Sequence, residues 1–116
     1  MAGVGTPRYT PPMYEIDPDA GERWLSALKL RLPNQAQHVV AVHPALRNAE
    51  DGSTELYAVL VVDDMVVGLP AALRREILTN IEDGVRQVVL GDEGYEGFPH
   101  VAFRTVTEDA AIRQGA

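Results

Sequence analysis

The chain has 116 residues, 46% of them hydrophobic, with 17 acidic side chains against ten lysines and arginines. A chain of this length is expected to form one domain around one core. Its net charge of −7 and the lack of any basic stripe exclude direct binding to a nucleic-acid backbone. The absence of cysteine excludes disulfides and thiolate chemistry. With no signal-peptide pattern and no membrane span, we expect a cytoplasmic protein that binds no membrane.

The first 16 residues form a proline-rich arm, whose prolines forbid a helix and favour extended backbone. Tyr9, Met13 and Tyr14 within it are suited to interface pockets, so we interpret the arm as a partner-binding segment. A tail without fixed structure is the alternative. The rest of the chain divides into a domain over residues 17–106 and a C-terminal tail or short helix over residues 107–116.

The most apolar stretch, residues 54–62, predicts a central strand buried on both faces. Before it, Asp17 and Pro18 are typical of a helix start. The helix that follows has an apolar stripe at Trp24, Leu28 and Leu32. A second apolar run, Val39 to Val42, predicts a strand over residues 38–43. The loop at residues 45–53 then leads into the central strand, which returns antiparallel to it.

A second helix is predicted from Ile77 and Ile81 in its buried stripe, ending at Gly84 in a left-handed cap. Residues 85–90 predict a third strand, parallel to the central one through a βαβ crossover. Residues 100–106 alternate as a half-exposed fourth strand. The predicted faces are Val101, Phe103 and Thr105 on one side, and His100, Ala102 and Arg104 on the other. Thr107 is the predicted cap of a short final helix.

The predicted fold is therefore α+β, a two-layer sandwich in the order α-β-β-α-β-β. Its four-stranded mixed sheet would carry two helices on one face. In a βαβ unit the carboxyl ends of the parallel strands share one edge, where ligands of such sheets bind. Asp63, Asp64, Asp92 and Glu93 follow these two strands. Four converging carboxylates would favour a hard cation such as Mg²⁺ or Ca²⁺, and solvated turn residues are the alternative.

Other catalytic patterns are weak. His38 and His43 stand five residues apart on one strand and so on opposite faces, which argues against a shared metal, although His100 could approach either. Neither serine, Ser26 nor Ser53, has the context of a hydrolase nucleophile.

The stretch from Gly52 to Asp64 looks like the layout of minimal nucleotidyltransferases, in which a Gly-Ser turn precedes a strand with two alternate carboxylates for Mg²⁺. Glu55 matches the first carboxylate, and Tyr57 stands at the second position. Where that family has an earlier Gly-Ser pair, this chain has His43-Pro44-Ala45. The resemblance implies a degenerate copy of such an enzyme.

Two functions follow from these features. The proline-aromatic arm and the acidic surface favour a non-catalytic protein that binds a protein partner or itself, as an assembly subunit or regulator. The alternative is a metal-dependent or degenerate nucleotidyltransferase-like enzyme that uses the acidic edge of the sheet. We expect no cofactor unless that edge holds Mg²⁺ or Ca²⁺.

Overall fold

The computed structural model describes residues 14–15, 18–94 and 99–115. Tyr9, Met13 and Asp17 lie outside these residues, as does the side chain of Tyr14. The strands are β1 (Tyr14–Glu15), β2 (Val39–Asn48), β3 (Thr54–Val62) and β4 (His100–Thr105), and the α-helices are α1 (Pro18–Arg31), α2 (Ala71–Gln87) and α3 (Val106–Gly115). Short 3-10 turns cover Ala36–His38 and Asp64–Gly68, and a π-helical turn covers Val88–Asp92. Within the described chain, no helix is both long and apolar enough to cross a membrane.

The strands form one mixed sheet in the order β1-β2-β3-β4. β2 and β3 pair antiparallel, as predicted, although β2 is longer than expected and runs on through Pro44 to Asn48. The hairpin turn contains Gly52 with a φ of 89°, a left-handed conformation that glycine adopts at little cost. β3 and β4 are parallel, with Tyr57 opposite His100. Parallel strands need a crossover, which α2 provides.

The predicted four-stranded sheet with two helices on one face is wrong. Among the described residues there are three full-length strands, the two-residue β1 and three α-helices. Residues 85–90, predicted as a strand, continue α2 and its π-helical turn. Val85 and Val89 extend the stripe of Ile77 and Ile81 at four-residue spacing, and all four are buried. Burial of this stripe outweighs the strand preference of valine, so β4 becomes the parallel partner of β3.

Gly84 was predicted to end α2, but it lies inside the helix. A Cβ at this position would lie 2.9 Å from Cδ1 of both Leu28 and Leu32. Glycine therefore allows α1 and α2 to approach each other closely.

The main core lies between the sheet and the pair α1 and α2. Leu60 of β3 is fully buried there with Trp24 and Leu28 of α1. On the other side of β3, Val59 and Val61 are no more than 3% exposed. The prediction that the central strand is buried on both faces is confirmed for residues 58–62, whereas residues 54–57 remain exposed or partly exposed.

The third helix, α3, lies on the opposite face of the sheet. It begins with a capping box: the Thr105 hydroxyl accepts a hydrogen bond from the backbone N–H of Glu108, whose carboxylate accepts one from the backbone N–H of Thr105. Thr107, the predicted cap, instead donates its hydroxyl to Asp64. Further along, Arg113 reaches His43 on β2. The sheet therefore has helices on both faces.

Candidate functional site

The two edges of the sheet are built differently. On one side of the sheet β2 is the outermost full-length strand, and other parts of the chain cover it. β1 pairs with part of it, with Glu15 opposite Ala45. α1 crosses it at Val42, whose carbonyl oxygen would lie only 2.2 Å from a Cβ on Gly21. The helix backbone therefore lies directly against this strand, and only glycine permits the approach.

Two residues of β2 itself also interrupt its outer side. Pro44 is fully buried and has no N–H to offer a further strand. Val40 is the extra residue of a β-bulge, because Val39 lies opposite Val62 and Ala41 opposite Val61. Covering elements, prolines and bulges are the means by which proteins prevent unwanted strand pairing. We call residues 39–46 of β2 the closed edge.

β4 forms the other edge, and the described residues show none of these features there. Its pairing with β3 continues through six residues without a register shift, and it contains no proline. In the part of the chain that the structure describes, no further strand pairs with it. Every second residue of an edge strand directs its backbone N–H and C=O outward, where they can pair with another strand. We call residues 100–104 of β4 the open edge.

The side chains of the open edge alternate as the sequence predicts. Val101 and Phe103 pack against the core on the α1 and α2 side but remain only partly buried. His100, Ala102 and Arg104 lie on the α3 side. The edge thus offers outward backbone groups together with two partly buried apolar side chains.

On the α3 side, Glu55 connects the open edge to β2. Its Oε2 lies 3.4 Å from His100 Nε2, and its Oε1 accepts a 2.7 Å hydrogen bond from Arg47 Nη2. Tyr57 completes the cluster, with its ring stacked on His100 at 4.9 Å between centroids and 5.1 Å from Arg47 Cζ. The hydrogen bond to Glu55 raises the pKa of Arg47. The charges of this cluster therefore compensate one another within the sheet.

A second cluster ties α3 to the same face through Asp109. Its carboxylate lies 3.3 Å from Arg104 Nη1 and 2.9 Å from Arg113 Nε. Arg113 Nη2 also lies 2.8 Å from Nε2 of His43. Burial acts to raise the pKa of Asp109, but Arg113, Arg104 and the nearby His43 together hold it below its usual range. Asp109 is therefore ionised at neutral pH and anchors the helix by charge.

The carboxylates of the predicted metal site engage separate partners. Asp63 Oδ2 lies 3.4 Å from His38 Nδ1. Asp64 accepts hydrogen bonds from the hydroxyl and the backbone N–H of Thr107. These bonds lower the pKa of Asp64. Asp64 thus links the turn after β3 to the start of α3.

Asp92 and Glu93 lie against α1, because the residues before them form a π-helical turn instead of a strand. Arg31 Nη2 lies 2.8 Å from Asp92 Oδ1, and Arg23 Nη2 lies 3.0 Å from Glu93 Oε1. The hydrogen bond from Arg23, with a smaller contribution from Trp24, holds the pKa of Glu93 below its usual range. Nowhere in residues 14–15, 18–94 and 99–115 are three or more histidines or carboxylates arranged to hold a metal ion.

A polar cleft of about 670 Å³ opens between the C-terminal parts of α1 and α2. Its lining includes Arg31, Gln35, Asn80, Asp83 and Gln87. Arg31, its only arginine, is already bound to Gln87 at 3.2 Å and to Asp92. The cleft therefore offers a ligand amide groups and the carboxylate of Asp83. Its arginine already binds other side chains of the protein.

No protein-family model, curated protein or solved structure matches this chain. The position that resembles the first nucleotidyltransferase carboxylate, Glu55, is bound to Arg47 and His100, and Tyr57 at the second position stacks on His100. Function must therefore be argued from the surface of this molecule alone.

Sequence reasoning missed the difference between the two edges. Pro44 was a usable signal, because proline in a strand marks an edge. The open edge had a weaker signal, the uninterrupted alternation of residues 100–104. Neither signal shows which strands are neighbours in the sheet. The predicted strand order depended on residues 85–90, which were wrongly assigned to a strand.

Proposed function

We propose that this protein is a non-catalytic protein-binding subunit and that an extended segment of its partner adds to the sheet along β4. The observation that carries the proposal is the contrast between the closed edge of β2 and the open edge of β4. A strand that adds to a sheet gains affinity from main-chain hydrogen bonds and specificity from alternate side chains. β4 offers both, through its outward backbone groups and the partly buried Val101 and Phe103.

The polar clusters support binding over catalysis. Glu55 is shared by Arg47 and His100, and Asp109 is shared by Arg104 and Arg113. General acid–base catalysis needs a group that can reach a substrate and change its protonation state there. These groups instead bridge strands to one another or to α3, which fits a role in holding the binding edge rigid.

The N-terminal arm is a second contact in this proposal. The backbone of Tyr14 and Glu15 pairs with β2 at the closed edge, so the arm begins from a fixed position on the domain. Tyr9, Met13 and Tyr14 are proposed to contact the partner, because tyrosine is enriched in binding hot spots and prolines reduce the entropy lost on docking.

The proposal is tested by placing a lysine on each edge. Ala102→Lys introduces a charge in the middle of the open edge, and natural edge strands use lysine to prevent strand addition. Val40→Lys is the matched control, since Val40 is 53% exposed on the closed edge. Tagged wild type and both variants are used to capture proteins from native cells, and the captured proteins are quantified by mass spectrometry.

We expect Ala102→Lys to lose proteins that wild type and Val40→Lys both retain. Identical captured sets for all three would contradict docking at β4. A circular-dichroism melt of each variant shows whether a lost partner reflects the blocked edge or an unfolded domain.

A further inference from the structure

We propose that the segment added to β4 is the β4 strand of a second copy, paired antiparallel about a two-fold axis at Ala102. This inference rests on the proposed function and identifies its partner. The product would be one continuous sheet in which two open edges cover each other.

A two-fold axis requires that the surface match itself, because the same patch is used by both copies. In an antiparallel pair, residues directly opposite each other lie on the same face of the sheet. An axis at Ala102 places it opposite itself, Val101 opposite Phe103 of the second copy, and His100 opposite Arg104 of the second copy. Any regular strand satisfies this rule, so the match depends on the side chains that would meet across the junction.

On the α1 and α2 side, each copy contributes one valine and one phenylalanine. Val101 and Phe103 pack against the core of their own domain and are only partly buried. Pairing would place each beside the other type across the new junction, and cross-strand pairs of aromatic and β-branched residues are favourable. The apolar layer of one copy would continue into that of the other.

On the α3 side, each basic residue in the cross-strand pair already has a carboxylate. Arg104 is bound to Asp109, and His100 lies beside Glu55. His100 and Arg104 of the second copy would therefore each approach the junction with a carboxylate beside it. Ala102 is small enough to lie opposite itself without a clash.

The capping box favours this register over the one centred on Phe103. An axis at Phe103 would place Thr105 opposite Val101 of the second copy, within the new ladder. The backbone N–H of Thr105 already donates to Glu108 at 2.8 Å, and α3 begins at the next residue. An axis at Ala102 uses residues 100–104 and leaves Thr105 free to cap the helix.

A junction made chiefly by five residues of each strand is small. Interfaces that bury less than about 1,200 Å² in total are usually weak or transient. We therefore expect a reversible dimer at micromolar or higher protein concentrations.

The test uses cysteine substitutions in a chain that has no native cysteine. Residues opposite each other in an antiparallel pair have Cα atoms about 4.5–5.5 Å apart, within the range of about 4.4–6.8 Å that a disulfide spans. Ala102→Cys in the full-length protein should therefore form a disulfide-linked dimer under mild oxidation. Val40→Cys is the control at the closed edge and should link far more slowly.

Charge variants provide the second measurement. Ala102→Lys and Ala102→Glu should each be monomeric by sedimentation equilibrium, because like charges would meet at the axis. An equimolar mixture should recover the dimer, which also shows that both variants are folded. Wild type and Val40→Lys should dimerise as the concentration rises.

Preferential linkage of Ala102→Cys with recovery of the mixed dimer would support the inference. A wild type that stays monomeric at near-millimolar concentration would overturn it, as would equal linkage of the Ala102→Cys and Val40→Cys proteins. If self-association is absent but Ala102→Lys still loses captured proteins, only the identity of the partner is wrong. If capture is also insensitive to Ala102→Lys, the proposed function fails as well.

Discussion

The outer edges of β2 and β4 belong to one sheet, but the first is covered and interrupted whereas the second is regular. β2 is covered by β1 and α1, and Pro44 and the bulge at Val40 interrupt its outer side. β4 is regular through all six residues, with no further strand beside it in the described chain. An unprotected edge is a liability that proteins normally remove. We propose that this contrast arises because the edge at β4 is used for binding.

The largest expected effect comes from breaking the strand that joins the two edges. Leu60 of β3 is fully buried between α1, α2 and the sheet. Leu60→Ala should lower the free energy of unfolding by about 2–5 kcal/mol, through lost burial and a residual cavity. Denaturant unfolding measures this, and a loss below about 1 kcal/mol would show that β3 is not the central support.

The next prediction opens the closed edge. In Gly21→Ala the new Cβ would lie 2.2 Å from the carbonyl oxygen of Val42, so α1 must move away from β2. We expect a loss of about 1–3 kcal/mol in unfolding free energy, as is usual for overpacking, together with new concentration-dependent association through β2.

Gly68→Ala is the matched control, because a Cβ there meets nothing within 4 Å. If Gly21→Ala is as stable and as monodisperse as this control, α1 does not protect the edge.

A smaller effect on stability is expected from substitution of Asp64, which binds Thr107 at the start of α3, beside the end of β4. Its pKa is lowered in the folded protein by hydrogen bonds from Thr107. The resulting stability is present above the usual carboxyl pKa and is lost as the pH falls through the lowered value. Asp64→Asn should therefore reduce the fall in melting temperature on acidification.

Thr107→Val should have a similar effect, since it removes the hydroxyl that Asp64 binds. Glu50→Gln, at an exposed residue of the hairpin turn, is the control. Melting curves recorded from neutral pH to about pH 2 compare the three variants. Equal acid sensitivity of wild type, Asp64→Asn and Thr107→Val would show that this link adds no stability.

The smallest effect on stability is expected from the N-terminal arm. Deleting residues 1–14 removes the backbone pairing of Tyr14 with Leu46 but none of the buried core from Ala20 onward. The melting temperature should change little, while partner capture or self-association weakens. Melts and sedimentation of both proteins test this. Unfolding on truncation would make the arm part of the core, and unchanged capture would remove it from the proposed interface.

The sequence predicted the elements whose patterns were unambiguous. The start of α1 was found from Asp17 and Pro18, β3 from an apolar run that ends at Asp63, and β4 from its alternation. The prediction of a strand at residues 85–90 was wrong because a short apolar run rich in valine fits a buried strand as well as a buried helix. Burial of the helical stripe that includes Ile81 favours the helix over the strand. The prediction for Gly84 was wrong because its close packing against Leu28 depends on tertiary structure.

The site was less predictable than the fold. Asp92 and Glu93 were expected at the sheet edge, but the helical structure of the residues before them places them beside Arg31 and Arg23. The open edge depends on which strand is outermost, which local patterns do not encode.

Hydrogen exchange of the β4 amides is the most direct test of the difference between the edges. In dilute protein, every second amide of residues 100–104 should exchange quickly, because it faces outward, while its neighbours are protected by β3. Protection of the fast amides should increase with protein concentration in wild type and not in Ala102→Lys, while the amides of β2 stay unchanged. Uniform protection of β4 at high dilution, or no concentration dependence, would contradict an open edge that pairs with a second strand.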